Sequence, residues 1–113
     1  MIPIEELKNA QDILHSCLPL FIALGDEIRQ KMIIDIASHG NRGMNVTEIT
    51  ENYNLSRPAI SHHLKVLKDL GLVTTRKEGT QVFYRSIVHE NLGKLSDFIE
   101  SIEHVIQSMK QEE

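Results

Sequence analysis

Arg57, Ser61, Lys65 and Lys68 stand at positions i, i+4, i+8 and i+11, a spacing that puts all four on one face of a helix, with His62 beside them. Ile60, Leu64 and Leu67 take the opposite face, and Ala59, Val66 and Leu70 widen it. The polar face offers the groups that read a DNA major groove. Arg can donate to guanine N7 and O6 together, Ser can serve either base type, and Lys can reach a base or a phosphate. Ser56, just before this helix, and the open N–H groups of the first turn suit a phosphate oxygen. An ordinary solvated helix face would carry similar charges, so the reading depends on what the neighbouring elements are.

Those elements follow from local signals. Asn45 followed three residues later by Glu48 is a variant of the capping box and starts a short helix ending near Asn52, with Thr47 in its first turn. The turn Tyr53-Asn54-Leu55 leads to Ser56 as the N-cap of the next helix. Pro58 sits in the first turn, where a missing N–H does no harm, and Gly71 follows the last turn as a stop. From Leu72 the apolar period changes from helical to alternating. The segments 72–76 and 81–87 read as strands joined by Lys77-Glu78-Gly79-Thr80, a hairpin with a cationic end. Short helix, turn, longer helix and hairpin make a winged helix-turn-helix, with the helix-turn-helix at 45–70 and the wing at 72–87. In that arrangement Arg76 and Lys77 lie along the DNA backbone or minor groove.

The flanks are helical. Ile4, Leu7, Leu14, Leu18 and Phe21 keep helical spacing over 4–21, with Pro19 bending or ending the helix. A second helix starts at Gly25-Asp26, where Asp26 can accept from the first-turn N–H groups, and stops before the turn-rich loop 39–43. Leu92, Leu95, Ile99, Ile102, Ile106 and Met109 repeat at three and four over 91–109, and Phe98 and Val105 widen the stripe. The terminal helices therefore carry more apolar surface than one small core requires. The expected fold is one domain over 1–113, mainly α with a small β-hairpin.

Charge separates the same regions. The 113 residues carry a formal net charge of −4, which taken as a single sum counts against nucleic acid. Between Arg57 and Arg85, however, six basic residues face two acids, giving +4, and the rest of the chain carries −8. One cysteine excludes an intrachain disulfide and fits a reducing, cytoplasmic setting. No segment is long and apolar enough to span a bilayer, and the N-terminus lacks a signal-peptide pattern, so no membrane role is expected. No nucleophile–base pair, phosphate loop or metal motif suggests an enzyme or a cofactor.

The chain resembles the arsenic-repressor (ArsR/SmtB) family of small bacterial winged-helix transcriptional regulators. The matching stretches are Ala23-Leu24-Gly25-Asp26-Glu27-Ile28-Arg29, Val46-Thr47-Glu48-Ile49, Ser56-Arg57-Pro58-Ala59-Ile60-Ser61-His62-His63-Leu64-Lys65-Val66-Leu67, Gly71-Leu72-Val73 and the wing from Arg76 to Arg85, covering roughly residues 18 to 88. Glu27 stands where Pro is usual, a harmless change at a helix start. The resemblance implies a homodimeric repressor built on its first and last helices, through Ile4, Leu7, Leu14, Leu18, Leu92, Leu95, Ile99, Ile102 and Ile106. Two recognition helices would meet double-stranded DNA at an inverted repeat with half-sites about one turn apart. The DNA-contacting set is Thr47, Ser56, Arg57, Pro58, Ser61, His62, Lys65, Lys68, Arg76, Lys77, Gln81 and Arg85.

Many such regulators sense metals, and neither familiar site is intact. Residues 43–50 hold no Cys or His, and of Val88, Glu90, Ser101 and His104, the positions matching the site on the last helix, only two can ligate. The remaining routes are Glu100 with His104, completed by a second copy, and oxidation of Cys17 against its mate. The competing reading is a protein-interaction module whose DNA binding is vestigial. The intact face of Arg57, Ser61 and Lys65 argues against it.

Overall fold

The structure is a computed structural model and describes residues 2–111. Nine elements follow one another: α1 Ile4–Ser16, α2 Leu18–Leu24, α3 Glu27–Ser38, β1 Met44–Asn45, α4 Val46–Glu51, α5 Arg57–Asp69, β2 Val73–Glu78, β3 Gln81–Ser86 and α6 His89–Gln111. The stretch 4–21, expected as one helix, is therefore two. Pro19 has no N–H to continue the ladder and its ring would collide with the preceding turn, so α1 closes at Cys17. Pro19 then falls in the first turn of α2, where it is tolerated. Phe21 belongs to α2 as a result.

Side chains cap the N-termini of α3, α4 and α5. Asp26 Oδ1 accepts from the N–H groups of Ile28 (2.8 Å) and Arg29 (3.1 Å). Glu48 N–H donates to Asn45 Oδ1 at 2.8 Å while Asn45 N–H donates to Glu48 Oε1 at 3.2 Å, the reciprocal pair of a capping box. Ser56 Oγ accepts from Ala59 N–H at 3.2 Å. At the end of α5, Gly71 has φ +78°, Leu72 N–H reaches Leu67 O and Gly71 N–H reaches Lys68 O. This is a Schellman closure, with Leu72 and Leu67 both buried behind it.

The hairpin extends further than the alternation indicates. Lys77 and Glu78 pair with Val82 and Gln81, leaving only Gly79 and Thr80 in the turn. Two residues of β1 add a third strand beside β3, with Met44 opposite Tyr84 and Asn45 opposite Phe83. That approach requires Gly43, at φ +71°, because a Cβ there would lie 2.1 Å from the Tyr84 carbonyl oxygen.

The core lies between α2, α3, α4, α5 and the sheet, around Leu20, Met32, Ile36, Met44, Ile60 and Leu64. Outside it, α1 and α6 form an antiparallel arm. Ser108 Oγ donates to Glu6 Oε2 at 3.0 Å, and further along Asn9 and Ile13 share a cleft with Asp97, Glu100, Ser101 and His104. The arm makes the chain long, 60 × 24 × 20 Å with a radius of gyration of 18.1 Å. A compact chain of this length would have about 13 Å. Among the described residues no helix is long and apolar enough to cross a membrane.

Candidate nucleic-acid interface

Helix α5 divides as its sequence implies. Ile60, Leu64 and Leu67 are fully buried, and Arg57, Pro58, Ser61, His62, Lys65 and Lys68 are exposed on the other side. The two helices of the motif are joined at their N-terminal ends, where Arg57 Nη2 donates to Thr47 Oγ1 at 3.1 Å. Behind this pair, Asn45 Nδ2 donates to Gln81 Oε1 at 3.3 Å and ties α4 to the wing. Thr47, Arg57, Thr80 and Gln81 thus line one polar cleft of about 220 Å³. Ser56 Oγ is occupied as an acceptor by its own helix, which leaves its O–H to donate to a phosphate.

The reading helix is also held from behind. Tyr53 O–H donates to Asp35 Oδ2 at 2.7 Å, and Lys31 Nζ lies 4.4 Å from the Tyr53 ring and donates to Asn52 O at 3.3 Å. Burial, then the Asp35 carboxylate, pushes the phenol above its ordinary range, so it stays a donor. The turn between α4 and α5 is in this way pinned to α3.

The basic residues are less alike than their sequence suggests. Lys65 Nζ is 2.8 Å from Asp69 Oδ2, and the hydrogen bond to that carboxylate raises the ammonium pKa. Both side chains are exposed, so a DNA phosphate can displace Asp69 at little cost. Among the described residues Lys77, in β2, has no ion-pair partner. Arg76 does: its Nε donates to Glu78 Oε1 (2.9 Å), and its Nη1 donates to the carbonyls of Asn41 (3.2 Å) and Arg42 (2.6 Å). Its guanidinium lies 4.7 Å from the Phe83 ring, and Arg42 covers the same ring at 5.4 Å. Arg76, expected along the DNA backbone, also braces the wing against the loop before β1. Arg85 is half-buried opposite Thr74, in a cleft shared with Arg76 and Asn41. Sequence reasoning passed over Arg42, whose guanidinium holds Glu48 by two bonds of 3.0 and 3.1 Å and keeps that carboxyl below its usual range. The loop around it reads only as a turn.

The expected pairing residues divide as well. Ile4 is 75% exposed and Ile99 51%, and Leu7, Leu14, Leu18, Leu92 and Ile106 are exposed with them. Ile102 is half-buried, while Leu95 packs against the body core and roots α6 there. Phe21, Ile22 and Met109 extend the exposed apolar surface. Leu14, Leu18 and Phe21 line an open groove of about 830 Å³ with Lys8, Gln11, Asp12 and His15. Cys17 is fully buried at the junction of α1 and α2. Glu100 and His104 flank the α1–α6 cleft, and no group of three metal-ligating side chains forms among the described residues.

Comparison with known proteins converges on one family. A family model described as "Bacterial regulatory protein, arsR family" matches residues 35–75. The transcriptional repressor SdpR of Bacillus subtilis (strain 168) is 30% identical over 83 residues, covering 71% of this chain and 89% of that protein. The arsenical resistance operon repressor of the same organism is 31% identical over 90 residues, covering 80% and 84%. Among solved structures, an ArsR-like transcriptional regulator from Rhodococcus sp. RHA1 superposes with a TM-score of 0.69 at 26% identity, covering 86% of this chain and 89% of that one.

Proposed function

Since the chain belongs to the ArsR family of bacterial regulatory proteins, and is a DNA-binding transcriptional regulator rather than an enzyme, we propose that it acts in the cytoplasm as a homodimeric repressor. Two copies pair through the apolar faces of α1, α2 and α6 and present two α5 helices to an inverted-repeat operator. Arg57, Ser61 and Lys65 read base edges. Thr47, Ser56, Gln81 and Lys77 hold the backbone, and His62 and Lys68 flank the reading face. Occupation of the promoter shuts transcription off.

The observation that supports this reading is the exposure of Ile4, Leu7, Leu92, Ile99, Ile106 and Met109 on an arm that no other described residues of the chain cover. Exposed apolar surface of that extent marks an interface. A second copy is complementary by symmetry, because a two-fold axis sets the same patch against itself. Pairing also explains a short acidic chain that reads DNA, since two modest half-site contacts act together on one duplex. The buried Cys17 supports release by something other than thiol oxidation.

Selection of duplexes from a random-sequence pool, with sedimentation of the free protein, tests both parts. The expected result is a two-fold symmetric motif and a mass of two chains. An asymmetric single half-site, or a monomer that binds as tightly, would overturn the proposal.

A further inference from the structure

Arg29 lies on α3, and its guanidinium meets α2, α5 and Asp26, the N-cap of its own helix. Nε donates to Ala23 O at 3.1 Å and Nη2 to Ile22 O at 3.2 Å. These are last-turn carbonyls of α2, beyond the reach of its i→i+4 ladder, and Ile22 O also accepts from the capping Gly25 N–H at 3.3 Å. Nη1 approaches His63 Nδ1 on α5 at 3.5 Å and Asp26 Oδ2 at 3.9 Å. A guanidinium carries donors only, so the His63 nitrogen must be the acceptor, with the ring proton on Nε2. The Arg29 side chain is 15% exposed, and its planar fork fixes directions that a flexible ammonium would not.

The two elements it joins have separate tasks. Leu20 and Ala23 of α2 enter the core, whereas Leu18, Phe21 and Ile22 are exposed on the proposed pairing side. Helix α5 presents the reading face. We infer that Arg29, through His63, is a positioning residue that sets the recognition helix relative to α2 and so fixes the distance and angle between the two recognition helices of a dimer. The inference rests on the paired, two-helix reading given above. Its consequence is specific: Arg29 governs which half-site spacing is accepted, a property distinct from affinity at one half-site. One extra base pair turns a half-site by about 35° and moves it about 3.4 Å, which a rigid pair of helices cannot follow.

The test uses a duplex selected from a random-sequence pool by the wild-type protein, and the same duplex with one base pair inserted at or deleted from its centre. Wild type should lose about 10-fold in affinity on either altered duplex, within the usual cost of a misplaced contact. Arg29→Ala and His63→Leu should shrink that penalty to about twofold while both proteins still unfold cooperatively. His63→Asn, which restores an acceptor near the Nδ1 position, should recover most of it. Arg57→Ala should weaken all three duplexes alike. If Arg29→Ala proves unable to fold, the His63 pair carries the test, since those variants leave the α2 carbonyls bonded. Retention of the wild-type penalty by His63→Leu overturns the inference. A wild type indifferent to spacing overturns the paired reading itself, and with it this role for Arg29.

Discussion

The winged-helix body and the α1–α6 arm draw on the same apolar residues and use them differently. In the body, Ile36, Ile60, Leu64, Leu67 and Leu72 are fully enclosed within one chain. Among the described residues of the arm, Ala10, Ser101 and Val105 are buried, with Asn91 at the root of α6, and the first three are small or β-branched. They let α1 and α6 approach while the larger Ile4, Leu7, Leu92, Ile99 and Ile106 remain outside. Body stability is therefore intramolecular, whereas in the proposed dimer the arm's apolar face would gain its stabilisation from a partner. The wing repeats this contrast with charge: Arg76 is bonded within the fold, and among the described residues Lys77 has no ion-pair partner.

Each part of the contrast can be broken separately. Ile99→Glu places a charge in the arm's face and should halve the sedimenting mass. Affinity for the selected duplex should fall on the order of 100-fold or more through lost bivalency, with the body's unfolding transition little changed. Leu64→Ala should do the reverse: it opens a cavity in the body and should cost about 2–5 kcal/mol in urea unfolding. If Ile99→Glu destabilised the body as much as Leu64→Ala, the arm would not be an independent surface. Arg57→Ala should weaken specific binding by about 1–3 kcal/mol and relax one base position, as read by competition among variant duplexes.

Smaller effects sharpen the wing comparison. Lys77→Ala should reduce the salt slope of binding by about one while leaving sequence preference alone. Arg76→Ala should instead lower thermal stability by releasing the loop carbonyls and uncovering Phe83. Equal slopes for the two variants would return Arg76 to the DNA backbone. The smallest change concerns Glu48, whose carboxyl is held below its ordinary value first by the Arg42 hydrogen bond and then by Asn45 N–H. A depressed folded value means that its contribution is present above the unfolded value of about 4.5. That contribution fades as pH falls through the folded value. The melting difference between wild type and Glu48→Gln should accordingly be visible at neutral pH and disappear on acidification.

The parts of this molecule visible in its sequence are those with causes a few residues apart. Asn45 with Glu48, Ser56 with Pro58, and Gly71 after Leu70 are complete instructions for helix ends, and the structure places caps at each. The alternation after Leu72 marks the hairpin for the same reason. Strand β1 escapes because two residues make no period, and its partner lies some forty residues away in β3. The division of 4–21 into two helices was half legible: Pro19 announces an interruption, but not that helix resumes at Leu18.

Sequence alone determined that one helix would carry Arg57, Ser61 and Lys65 opposite an apolar stripe, and that a cationic segment would sit within an acidic chain. Both follow from residue type and helical period. Only the tertiary structure decided that Leu95 packs against the core while Leu92 stays exposed, and that Arg76 is occupied while Lys77 has no ion-pair partner among the described residues. It alone brought Arg29 to His63, 34 residues along the chain. Burial and hydrogen-bond partnership are properties of surfaces meeting in space, and chemically equivalent side chains diverge once their neighbours come from distant parts of the chain.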